Sequence, residues 1–111
     1  YNSCRIMFVP NQMDAGPKII TESLCLNMPI IVNQNILGGW KYVNKNTGSF
    51  FTDTNDVAEA FEYVMQNKLS PREAYLQEFG GHESACVRLY EFVKTVCPQA
   101  PSAKYYNLFR N

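Results

Sequence analysis

Arg5-Ile6-Met7-Phe8-Val9, then Gly16-Pro17-Lys18-Ile19-Ile20-Thr21-Glu22, then Pro29-Ile30-Ile31-Val32-Asn33 decide the fold class of this chain. The first run is short and mostly apolar, and Pro10-Asn11-Gln12 breaks it, so it predicts a strand ended by a turn. Gly16 followed by Pro17 signals a helix start, with Pro17 at the first helical position, where a missing N–H costs nothing. That helix is expected to run to about Asn27. The third run is β-branched and unalternating, as in a parallel strand buried on both faces. Strand, helix and strand in such close succession make a βαβ unit. Such units cross over right-handed, and open α/β sheets bind ligands beyond the carboxyl ends of their strands. The loop with Asp14, the helix N-terminus and the loop from Gln34 to Trp40 all fall on that edge.

Two features of this edge carry chemistry. Asp14 and Glu22 stand eight residues apart across the helix start, a little over two turns, so both can lie on roughly the same side. The competing reading is that Asp14 closes an Asx turn and Glu22 is a solvated surface acid. Asn33-Gln34-Asn35-Ile36-Leu37-Gly38-Gly39-Trp40 is rich in amides, and paired glycines let a backbone approach a ligand closely, which suits a polar ligand. The competing reading here is a tight turn, with Trp40 and Tyr42 filling the seam against the next strand.

The pattern Asp14-x7-Glu22, Asn27-Met28-Pro29-Ile30-Ile31-Val32-Asn33, Gly38-Gly39 and Thr47-Gly48-Ser49-Phe50-Phe51 resembles the carboxyl-terminal half of the nucleotide-sugar-binding domain of retaining GT-B glycosyltransferases. That family has a Glu-x7-Glu pair, a Gly-x-Pro-Val-Val strand, a Gly-Gly loop and a Thr-Gly turn before a helix. The resemblance spans roughly residues 5 to 95. It implies a partial Rossmann-like α/β domain with a short parallel sheet and C-terminal helices. It also implies that Asp14, the catalytic candidate, meets hydroxyls of the transferred sugar, that Glu22 grips the ribose hydroxyls, and that Gly16, Pro17, Lys18 and Ile19 meet the diphosphate. Asn33, Asn35, Gly38, Gly39 and Trp40 would form a further loop of the cleft. Free N–H groups and the dipole of a helix N-terminus favour a diphosphate there. Asp14 is one methylene shorter than the family's Glu, and Pro17 removes an N–H donor where the family often has Gly.

A complete GT-B enzyme has two α/β domains and works in the cleft between them. The chain, at 111 residues, fits one domain and is expected to be a fragment. Residues 1–98 are read as the C-terminal portion of the donor domain and 99–111 as a tail that docks on another domain or partner. The N-terminal domain that holds an unidentified acceptor is missing on this reading, and the isolated chain is expected to be inactive. No cofactor and no metal are implied, the nucleotide-sugar being a substrate. A nucleotide-sugar epimerase of the same fold, and a non-catalytic GT-B-like binding or assembly module, are the alternatives.

Composition narrows the classes further. Ten basic and ten acidic residues cancel, so no electrostatic footprint for nucleic acid or an anionic membrane exists. No apolar run spans a membrane and the chain starts without a charged-then-apolar leader pattern, which fits a cytoplasmic protein. Cysteines 4, 25, 86 and 97 show no paired spacing, so reduced, mostly buried thiols are expected.

The remainder reads as scaffold. Ser49-Phe50-Phe51 predicts a strand, and Thr54 a cap for a helix from about Asn55 to Asn67 with Val57, Phe61, Val64 and Met65 as its apolar stripe. Ser70-Pro71-Arg72-Glu73 predicts a helix start ending near Gly80-Gly81, with His82 opening the next helix. A last helix from Glu83 to Val96, stopped by Pro98, is expected to bury Val87, Tyr90, Val93 and Val96. Tyr105, Tyr106, Leu108 and Phe109 of the tail need cover.

Overall fold

The computed structural model describes residues 5–99, His82 by its backbone alone. The element order is β1 (Met7–Val9), α1 (Lys18–Cys25), β2 (Ile30–Asn33), a 3₁₀ turn (Trp40–Tyr42), β3 (Gly48–Phe51), α2 (Val57–Gln66), α3 (Pro71–Phe79) and α4 (Gly81–Val96). The chain divides into two compact units after Tyr75. Cys4, and almost all of the expected docking tail with Tyr105 to Phe109, lie outside the described residues.

The first unit is an α/β layer structure on a three-stranded, all-parallel sheet in the order β1-β2-β3. Met7 pairs with Ile30 and Val9 with Val32, while Ile30 pairs with Gly48 and Asn33 with Phe51. β2 is the central strand, and all four of its residues are buried. Because successive side chains alternate across a strand, Ile30 and Val32 join one core with Val9, Ile20, Leu24 and Ile36, and Ile31 joins another with Phe51, Ala60 and Val64. That two-sided burial explains the lack of alternation in the sequence. Fully burying an Ile or Leu side chain stabilises by about 1.5–3 kcal/mol, so the fully buried Ile20, Leu24, Ile30 and Ile31 carry much of this unit. Phe8, on the edge strand, stacks on Phe51 and Phe61 at 5.1 and 5.8 Å between ring centroids.

Several local expectations are corrected. α1 stops at Cys25, two residues before Asn27, because Asn27 takes the left-handed conformation at φ 59°. Its N–H donates to the Leu24 carbonyl and that of Met28 to the Ser23 carbonyl, the bond pattern of a Schellman end. Asn27 Oδ1 also accepts from the Arg72 N–H at 3.1 Å and so ties the end of α1 to the start of α3. Cys25 is exposed, not buried, since its position at this end faces away from the Ile20–Leu24 stripe. Pro17 occupies the cap position with extended backbone, one residue before the helix proper.

α2 begins at Val57, later than expected, and Thr54 does not cap it. The carboxylate of Asp56, the residue before the helix, instead reaches back to the N–H groups of Thr52 and Asp53 and the Thr52 hydroxyl. Of the predicted stripe, Val64 is buried and Val57 and Phe61 are partly so, but Met65 is 74% exposed. Ala60 takes the fourth place because it lies four residues before Val64 on the same face.

In the second unit α4 runs from Gly81 to Val96 and includes His82, as the sequence suggested. Arg88 donates to the Phe79 carbonyl at 3.0 Å, which satisfies an end group of α3. Val87 and Val96 are exposed, against expectation, together with Leu89 and Phe92, whereas Tyr90 and Val93 are half-buried. Cys86 lies within α4 and Cys97 just beyond it; Cys97 is exposed and Cys86 half-buried. Among the described residues no helix is long and apolar enough to cross a membrane.

Candidate functional site

β1 and β2 run parallel, so their carboxyl ends open on the same edge of the sheet, and the loops leaving them are sewn together. Leu37 N–H donates to the Gln12 carbonyl at 3.0 Å and Gly38 N–H to the Asp14 carbonyl at 2.9 Å. Beneath them the buried Asn33 closes the base. Its Nδ2 donates to the Pro10 carbonyl at 3.4 Å and its Oδ1 accepts from the Asn35 N–H at 2.9 Å. Both amide groups of Asn33 therefore hold backbone, and Asn35 is exposed beyond it.

The paired glycines do allow a close approach, but what they approach is the other loop. A Cβ on Gly38 would lie 1.8 Å from the Ala15 carbonyl oxygen. Gly39 adopts φ 82°, and a Cβ there would lie 2.7 Å from Ile20 Cδ1 and 2.9 Å from Pro17 Cγ. Non-glycine residues fit neither place without a shift of backbone or core. This docking swings the chain over the start of α1 and brings Lys41 and Tyr42 beside Lys18 and Thr21.

A groove of about 290 Å³ lies between the two loops. Ala15, Gly16, Pro17, Lys18 and Thr21 line it from the first segment and Gly39, Lys41 and Tyr42 from the second. No side chain caps α1; the Ile20 N–H donates to the Pro17 carbonyl at 3.2 Å, and the start of the helix, with Lys18, borders the groove. Thr21 donates its hydroxyl to the Lys18 carbonyl at 3.1 Å. Lys41 Nζ sits 5.0 Å from the centroid of the Tyr42 ring, which Tyr75 meets edge-on at 5.8 Å. The Tyr42 carbonyl accepts from the buried Thr47 hydroxyl at 2.7 Å, which fixes the wall from behind.

The sequence-predicted site is thus only partly gathered. Gly16, Pro17, Lys18 and Gly39 share the groove. Asp14 and Glu22 do not line it. Asp14 turns its Oδ1 back to accept from the Gly16 N–H at 3.0 Å, the Asx turn that formed the competing reading, and Glu22 lies exposed farther along α1. Ile19, Asn33, Asn35 and Gly38 also stay off its walls, as does Trp40, which is 57% exposed and fills no seam.

The residues that sequence reasoning left out of the site are Ala15, Thr21, Lys41 and Tyr42. Thr21 had a signal, since it follows Lys18 by three residues on one helix face. Lys41 and Tyr42 had none until the Gly38 crossing was known. Among the described residues no group of three or more His, Cys, Asp or Glu side chains could hold a metal ion. Comparison of the chain with protein-family models, with curated proteins and with solved structures found no match.

Proposed function

We propose that this chain is the donor-binding part of a retaining GT-B glycosyltransferase, which moves a sugar from a nucleotide-sugar to an acceptor. The observation that carries the reading is the groove at the carboxyl ends of parallel strands, lined both by the start of α1 with Lys18, where no side chain caps the helix, and by the Gly39 loop. Ligands of open α/β sheets sit at such an edge, and a helix N-terminus favours a phosphate-bearing one. Sugar transfer with retention breaks the bond between the anomeric carbon and the diphosphate oxygen. The protein's part here is to orient the donor and stabilise the charge that gathers on the leaving diphosphate. Glu22 is assigned to the ribose and Asp14 to the sugar, by resemblance.

One observation favours a second reading, a non-catalytic binding module on the same fold. Asp14, the residue assigned to the sugar, already accepts a hydrogen bond from its own loop.

Calorimetric titration of the protein with UDP, GDP and ADP, and with their sugar conjugates, tests the donor reading. A nucleoside diphosphate should bind, and Glu22→Ala should weaken it by about 2 kcal/mol, the loss of hydrogen bonds to a charged partner. Absence of binding by all six compounds, or indifference of the binding to Glu22, would sink the assignment.

A further inference from the structure

The groove carries charge of one sign. Among the residues that line it are two cations, Lys18 and Lys41, and no Asp or Glu, in a chain whose basic and acidic residues cancel. Both lysines are exposed. They come from different elements, the start of α1 and the 3₁₀ turn, and the Gly38 crossing over Ala15 is what brings these together. Lys41 is further restrained over the Tyr42 ring, and Thr47 holds the Tyr42 backbone from behind.

Size sets the second constraint. At about 290 Å³ the groove falls at the lower limit of small-molecule sites, roughly 300–1,000 Å³, too small for a whole nucleotide-sugar but sufficient for two linked phosphates. Two point charges supplied by separate segments of the lining suit a multiply charged anion better than a single carboxylate.

We infer that Lys18 and Lys41 together hold the diphosphate group of the ligand between the two loops. The inference rests on the donor reading for the identity of that ligand. Lys41 thereby becomes a binding residue of the second wall, one that no feature of the Asp14 to Glu22 segment announces.

The test is titration of the 111-residue chain with inorganic pyrophosphate and with UDP, GDP and ADP at low and at moderate salt. Pyrophosphate should bind, and Lys18→Met and Lys41→Met should each weaken it about three- to tenfold, with a shallower dependence on salt. Lys68→Met, which removes the same charge from an exposed lysine that does not line the groove, should leave affinity unchanged. Equal losses in Lys41→Met and Lys68→Met would mean that only net charge is sensed, and would overturn the inference, as would no pyrophosphate binding at all. Nucleotide binding that depends on Glu22 but not on Lys41 would keep the donor reading and remove this one. Conversely, pyrophosphate binding that depends on both lysines, with no gain from any nucleoside, would keep the lysine site and remove the donor reading. Thermal denaturation of each variant checks folding, which exposed lysines are not expected to disturb.

Discussion

Gly38 crosses the Ala15 carbonyl so closely that a single added methyl would lie 1.8 Å from its oxygen, while the Gly38 N–H donates to the neighbouring Asp14 carbonyl at 2.9 Å. One glycine thus joins the loop after β1 to the loop after β2, and the groove exists because of that joint. Gly38→Ala should destabilise the protein by about 2–3 kcal/mol, since the methyl meets backbone that cannot rotate away. Gly16 is the control. A Cβ there meets nothing within 4 Å, so Gly16→Ala should be neutral or stabilise by about 0.4–1 kcal/mol through the unfolded chain. Urea denaturation of both variants decides it; two equal effects would show that the crossing has room for a methyl group.

Asp14 separates structure from chemistry when read in two substitutions. Its Oδ1 accepts from the Gly16 N–H, a bond that an asparagine can also make and an alanine cannot. Asp14→Ala should cost about 1 kcal/mol of stability, while Asp14→Asn should cost little. If Asp14 also meets the sugar, Asp14→Asn in the complete enzyme of which this chain would be the donor part should lower turnover while leaving binding of the bare nucleoside diphosphate intact, because a contact tightened in the transition state shows in rate. Full transfer activity in Asp14→Asn would leave Asp14 as a turn residue alone.

The β1-α1-β2 core was legible because its signals are local. Pro10, the Gly16-Pro17 pair and Pro29 punctuate three apolar runs whose periods differ, and the parallel register follows from their order. The Gly38-Gly39 pair was recognised as a close approach, but sequence could not say to what, and its partner Ala15 lies more than twenty residues away. Lys41 and Tyr42 enter the site only through that non-local contact. The α2 start was missed for a different reason. Thr54 and Asp56 are both good cap residues, and the choice was made by backbone donors of Thr52 and Asp53 that only the folded turn presents. On α4 the spacing of Val87 and Val96 describes a stripe, and a stripe does not by itself supply the surface that buries it.

Asp56 should give the stability of the first unit an acid limb. The Thr52 hydroxyl, and then the Asp53 and Thr52 N–H groups, hold its carboxyl below the ordinary value of 3.8. A carboxyl with a lowered folded pKa contributes stability that is complete above the unfolded value and is lost as pH falls through the folded one. The protein should therefore lose stability between about pH 5 and the lower acid range, where Asp56 protonates. Asp56→Asn should flatten that limb in melting curves taken at successive pH values. An unchanged slope would show that other carboxyls dominate the acid transition.

Thr47 links the buried turn before β3 to the groove wall. Its hydroxyl is fully buried, donates to the Tyr42 carbonyl at 2.7 Å and accepts from the Asn44 N–H at 2.8 Å. Thr47→Val keeps the shape and removes both bonds from a fully buried hydroxyl, and should cost about 1–3 kcal/mol. Thr47→Ser keeps the hydroxyl and loses one methyl, so its cost should be about 1 kcal/mol and come from packing. The Asn44 carboxamide still accepts from the Asn46 and Thr47 N–H groups in either variant, so the turn itself should survive. What should move is the wall, since Tyr42 and the neighbouring Lys41 are no longer held from behind. Thr47→Val should therefore weaken pyrophosphate binding in parallel with its loss of stability, whereas Thr47→Ser should bind as the parent does. If Thr47→Val loses stability but binds pyrophosphate undiminished, the wall does not depend on this hydrogen bond; if it loses neither, the hydroxyl is dispensable to the turn as well.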